Sequence, residues 1–100
     1  VGAGQAYASL ASLFTETEQF DLARIHLRAA EIRLKDHPIE HAKFMCKKGK
    51  FLVLTGRFDA ARETLEHART IADTEAVSET SVLARATRDL AERIQNENKG

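Results

Sequence analysis

Apolar and polar residues alternate along this chain with a helical period, and the pattern is written twice. QFDLARIHLRAA at 19–30 returns as RFDAARETLEHA at 57–68, 38 positions on. Aligning 4–41 with 42–79 pairs Phe20, Asp21, Ala23, Arg24, Leu27 and Ala30 with Phe58, Asp59, Ala61, Arg62, Leu65 and Ala68, six identities within eleven positions. In both copies the shared Ala, Leu and Ala fall at i, i+4 and i+7, one face of an α-helix. Each copy is preceded by another stripe, Tyr7, Leu10, Ala11 and Phe14 in the first unit and Met45, Gly49 and Leu52 in the second. The unit is therefore a pair of amphipathic helices. Thr55-Gly56-Arg57 divides the members, because glycine reaches the left-handed conformation that ends a helix. His37-Pro38 divides the units, because a residue before proline is pushed out of helical geometry. A third copy opens at Thr80, gives Leu83, Ala86 and Leu90, and stops at NENKG after a first helix only.

These signals predict an all-α antiparallel helical-repeat stack of five helices at 4–17, 20–36, 39–55, 58–74 and 79–96. It reads as a single domain with repeat one at 4–41, repeat two at 42–79 and a capping helix at 80–98. With no initiating Met, the chain is expected to be a fragment of a larger protein. Small residues recur where helix axes should approach: Ala11, Ala23, Ala30, Gly49, Ala61 and Ala68. Larger ones, Tyr7, Phe14, Phe20, Leu27, Leu52, Phe58 and Leu65, fill the space between.

This small-large alternation resembles the tetratricopeptide repeat, whose two antiparallel helices carry a large opening residue, a Leu-small pair, an aromatic, then Gly-x-Tyr/Phe and Ala, large, Ala. The matching residues are Tyr7, Leu10-Ala11, Phe14, Phe20, Ala23, Leu27 and Ala30, followed by Met45, Gly49, Leu52, Gly56-x-Phe58, Ala61, Leu65 and Ala68. The resemblance covers nearly the whole chain and recurs in register. The period is longer than the usual 34 residues by about one helical turn, similar to units in bacterial regulatory proteins and cargo adaptors of this superfamily. Two positions depart from the pattern. Lys48 stands where the family has Leu, with a stem that can snorkel across the core edge. Glu18 stands where it has Gly, and a looser turn is expected there.

Composition narrows the function classes. The formal net charge is zero, 43% of residues are hydrophobic and 30% charged. That is the profile of a soluble helical protein without an overall pull toward nucleic acid or membrane. The single Cys46 forms no internal disulfide, which fits a reducing, cytoplasmic setting. No apolar run approaches a membrane span, and VGAG has neither the basic start nor the apolar core of a signal peptide.

Catalytic chemistry finds little support. His37, Glu40 and His41 spell HPIEH, but a metalloprotease helix needs H-E-x-x-H so that both imidazoles meet one zinc, and Pro38 holds His37 outside the helix. Cys46 has lysines nearby but no evident base or orienting group. VGAG follows no strand and makes no phosphate loop. Neither an enzyme, a metal nor a cofactor is expected.

What remains is surface. In tetratricopeptide arrays the first helices line a concave groove that holds a partner's peptide or helix, so the resemblance implies a protein-protein interaction module, a scaffold or regulatory adaptor. By repeat register its groove positions are Gln5, Ala8, Ser9 and Ser12, then Lys43, Cys46, Lys47 and Lys50, then Ser81, Ala84, Arg85 and Arg88. Five of these twelve are basic and none acidic, which points to an acidic ligand. Lys43 and Lys47 sit at sites similar to the family's carboxylate clamp, although Ala8 and Ser12 replace its amide-bearing partners. The same lysine spacing also fits a solvated helix face. The alternative function is the effector- or peptide-sensing part of a larger transcriptional regulator, with no direct nucleic-acid contact by these residues. The faces expected to meet a preceding unit are Ala6, Leu13 and Thr17, then Phe44, Phe51 and Thr55, then Val82, Asp89 and Arg93. Because Ala6 and Leu13 have nothing before them, the N-terminal helix is expected to be an edge for an upstream repeat or a homodimer, whereas the polar α-helical end at Arg85, Arg88 and Glu92 suits a cap.

Overall fold

A computed structural model describes residues 2–78 and 80–97. Its helices are α1 (Gly2–Glu16), α2 (Phe20–Leu34), α3 (Pro38–Leu54), α4 (Phe58–Thr74) and α5 (Val82–Glu97), with no strand among the described residues. The first four lie within two residues of the expected bounds. The expected helix start at 79 and cap end at 98 fall outside the described residues, and α5 begins later than expected because Ser81 caps it, its Oγ accepting the Ala84 N–H at 3.0 Å.

The turns explain why the chain doubles back. Glu18, Gly56 and Ala76 all take positive φ, at 60°, 79° and 52°. Each donates its N–H three residues back, and the next residue reaches five back: Glu18 to Thr15 and Gln19 to Phe14, Gly56 to Val53 and Arg57 to Leu52, Ala76 to Asp73 and Val77 to Ala72. That is the Schellman closure, which satisfies the last helical carbonyls. The turn at Glu18 is therefore not looser than its glycine counterpart. It is the same turn, held against the steric penalty that a left-handed L-residue carries, on the order of 1–2 kcal/mol. The shared Asp in the next helix serves that helix's N-terminal dipole, and it pairs one turn on, Asp21 with Arg24 at 3.1 Å and Asp59 with Arg62 at 2.6 Å.

Burial repeats with the sequence. Ala23, Leu27 and Ala30 are buried on α2 as Ala61, Leu65 and Ala68 are on α4. Each helix packs on its sequence neighbour, and α1 meets α3 as α3 meets α5; α2 and α4 do not touch each other. Consecutive units therefore meet through their first helices, which stack side by side, and through each second helix against the next first helix.

The two junctions differ. Between the first units, α3 turns Phe44 and Phe51 inward. Phe51 meets the Phe20 ring edge-on at 6.0 Å beneath the Arg24 guanidinium, and Glu31 lies 3.6 Å from Lys48. Lys48 thus crosses the core edge toward a carboxylate. On α5 the counterparts of Phe44 and Phe51 are Val82 and Asp89, and neither is buried: Val82 is 65% exposed. Here the expected register is overturned. The stripe that α5 buries is Leu83, Thr87, Leu90 and Ile94. The shift from Val82 to Leu83 is one residue, about 100° of helix rotation. In a full unit this stripe would face the unit's own second helix; α5 presses it instead onto α3 and α4. Gly49 makes the contact close, since a Cβ there would overlap Leu90.

Candidate functional site

The turned fifth helix opens a cavity of about 560 Å³ beside α3. The α3 wall carries Lys43, Cys46, Lys47 and Lys50, and Ser12 of α1 closes one end. The α5 wall carries Val82, Ala86, Asp89 and Arg93 at i, i+4, i+7 and i+11, one continuous helical stripe, with Leu90 at its base and Glu92, Asn96 and Glu97 toward its rim.

Of the groove residues expected from sequence, Ser12, Lys43, Cys46, Lys47 and Lys50 line this cavity. Arg85 and Arg88 do not; both are exposed on α5, outside the lining. The rotation of α5 accounts for this in one step, because it carries Ala84, Arg85 and Arg88 out of the lining and brings Val82, Ala86, Asp89 and Arg93 in. Of the other expected positions, Gln5 lies outside it, its amide donating to Glu40 at 2.7 Å, Ala8 is buried and Ser9 is exposed. The wall missed by sequence reasoning had a signal of its own. Leu83, Leu90 and Ile94 form the strongest apolar stripe of the last helix, and orienting that stripe inward would have placed Val82 and Asp89 beside it.

This correction changes the electrostatics. The cavity is not uniformly basic: Lys43, Lys47 and Lys50 stand on one wall, while Asp89, Glu92 and Glu97 accompany Arg93 on the other. Two lysines already have carboxylate partners. Lys50 donates to Glu16 across the α1–α3 junction, and Lys43 donates to Glu40 at 3.2 Å. The Lys50 hydrogen bond and charge, with a smaller contribution from Arg93, hold the Glu16 carboxyl below the ordinary glutamate range. Glu40 is lowered as well, first by the Gln5 hydrogen bond and then by Lys43. Lys47 makes no hydrogen bond or ion pair among the described residues, although its charge reaches Glu40 and Cys46.

Cys46 lies on the cavity floor. Burial pushes its thiol up to about 11, with Lys47 pulling weakly the other way. At neutral pH it is a protonated, packed thiol rather than a thiolate. The HPIEH side chains part company. His37 caps the start of α3 in an extended conformation and is exposed. Glu40 faces Gln5 and Lys43. His41 turns inward, stacked on Phe44 with ring centroids 6.1 Å apart, its Nε2 3.7 Å from Glu31 and without a hydrogen bond. Among the described residues, no three His, Cys, Asp or Glu side chains gather closely enough to hold a metal ion. Nor is any helix long and apolar enough to cross a membrane.

The chain matches no protein-family model, and neither a curated protein nor a solved structure matched it.

Proposed function

We propose that this chain is a protein-protein interaction module of the tetratricopeptide kind, a scaffold or regulatory adaptor that seats a segment of a partner protein between α3 and α5. The pattern of helix contacts supports the kinship, since first helices stack on first helices and the second helices do not touch. The observation that carries the binding reading is the cavity itself. Its floor and one edge offer Cys46, Val82, Ala86 and Leu90 to an apolar side chain, while lysines stand along one wall. A partner segment that places a carboxylate toward Lys47 and an aliphatic or aromatic residue toward Ala86 and Val82 satisfies both halves. Glu40 and Glu16 compete for the other lysines in part-buried or partly accessible pairs, so Lys47, which has no such pair among the described residues, is the cation most available to a partner's carboxylate. The acidic wall adds a direction: the same segment should carry a cation on the side facing Asp89.

A peptide array of acidic amphipathic segments, followed by titration of the tightest binder in solution, tests this reading. Lys47→Glu should weaken binding about tenfold and flatten its salt dependence, whereas Arg88→Glu, outside the cavity, should leave both within about twofold. Equal effects of the two reversals would remove the cavity as the site.

A further inference from the structure

The outer surface of the first helix pair exposes an apolar face. On α1, Ala3, Ala6, Leu10 and Leu13 recur at spacings of three and four, and on α2, Leu22, Ile25, Ala29 and Ile32 do the same. That is the seam spacing of packed helix pairs. The two seams share one surface. Tyr7 and Phe14 on α1 meet His26 on α2 at ring-centroid distances of 5.9 and 5.0 Å, and Arg33 lies over Tyr7. These residues form the lip between the helices, and each seam runs beside it on the side away from the buried stripes. Leu10, Leu13, Leu22, Ile25 and Ile32 are 40% to 63% exposed. No seam position is itself charged, and Arg33, at the lip, donates to the Ala29 carbonyl at 3.0 Å.

The second unit supplies an internal control. The counterparts of Ile25, Ala29 and Ile32 are Glu63, His67 and Thr70 on α4, and all three are exposed although a complete unit precedes them. A preceding unit therefore covers the face of a first helix and leaves the outer face of the second helix in water. An upstream repeat docked in the same way would bury Leu13 and leave Ile25 and Ile32 bare. An upstream repeat therefore leaves the apolar seam of α2 uncovered, whereas a partner laid across the outer surface would cover both seams together.

We propose that this occupant is a second copy of the chain, joined through a two-fold axis so that the two α1–α2 pairs form a four-helix bundle. An isologous contact needs one self-complementary surface, and two parallel apolar seams on either side of a lip that carries Arg33 make such a surface. The area is sufficient. The five aliphatic side chains expose on the order of 400–500 Å², the size of the largest apolar patch on a typical monomer. With the alanines and the flanking polar rim, two helices of about 22 Å reach the roughly 800 Å² per partner of a stable dimer. The groove between α3 and α5 lies elsewhere, so dimerisation and partner binding do not compete.

Sedimentation equilibrium on the chain without peptide, over a wide concentration series, tests this. The wild-type chain should approach twice its 11.1 kDa mass. Ile25→Glu with Ile32→Thr copies the residues that α4 carries in an equally regular helix, so the fold is retained, as far-UV circular dichroism will verify. The dimer dissociation constant should rise about 100-fold or more, given the aliphatic area that each protomer loses from the contact. A wild-type chain that stays monomeric overturns the proposal. So does a dimer lost on Leu13→Lys but indifferent to the α2 pair, since that pattern belongs to a cover over α1 alone. Because peptide binding is measured separately, neither result bears on the groove.

Discussion

The two junctions of this stack use the same backbone arrangement with opposite chemistry. Where the second unit meets the first, Phe44 and Phe51 are buried, and Phe51 meets Phe20 of α2. Where α5 meets the second unit, the corresponding residues are Val82 and Asp89, and the helix has turned them to the surface. An aromatic pair gains by burial, whereas Asp89 would face a desolvation cost of several kcal/mol in the same place. The helix therefore rotates until Leu83, Leu90 and Ile94 are covered. The groove is the consequence: a closed junction buries its surface in cohesion, and an open one leaves a cleft.

Truncation at matched positions should break this comparison most visibly. Phe44→Ala should cost about 3–5 kcal/mol, as for other fully buried aromatics, and Val82→Ala should stay within about 0.5. Equal losses in chemical denaturation would mean that both junctions are closed. A smaller effect sharpens the second junction alone. Gly49→Ala gains about 1 kcal/mol of helix propensity but forces Leu90 aside, at about 1–3 kcal/mol, so net destabilisation near 1 kcal/mol is expected. The counterpart Ala11 carries a Cβ and is fully buried. A stabilised Gly49→Ala protein would show that α5 does not press on α3 there.

The smallest effect concerns the ion pair across the first junction. The Glu16 carboxyl is lowered by Lys50, so its contribution is present above the ordinary glutamate range and lost as the pH falls through the folded value. Both side chains meet solvent, and the effect is modest. Thermal melts of wild type and Lys50→Gln should differ slightly at neutral pH and converge in acid. A difference that grows on acidification would contradict the pairing.

How far the sequence carried these conclusions depended on whether a feature was local or relational. Helix positions were legible because Ala, Leu and Ala at i, i+4 and i+7 report a face directly, and the small residues at Ala23, Ala30, Ala61 and Ala68 report close axes. The α3 wall of the groove was legible for the same reason, since Lys43, Cys46, Lys47 and Lys50 form one stripe. The turn at Glu18 was misjudged because propensity disfavours Glu in the left-handed region, while the two Schellman hydrogen bonds outweigh that local penalty. The α5 wall was misjudged for another reason. Its orientation was carried over from helices that have a second helix of their own unit to pack on, and α5 has none among the described residues. The register of a repeat transfers only with its neighbours, so Arg85 and Arg88 were placed in a groove that Asp89 and Arg93 occupy.

The groove and its mixed charge both depend on the rotation of α5. Proton–proton NOEs on isotopically labelled protein measure it directly. Leu90 methyls should show strong cross-peaks to the Gly49 α-protons, and Val82 methyls should show no contact with the α3 and α4 core. Strong NOEs from Val82 to that core, with Leu90 contacts to Gly49 missing, would mean that α5 keeps the register of α3 and that the groove does not exist.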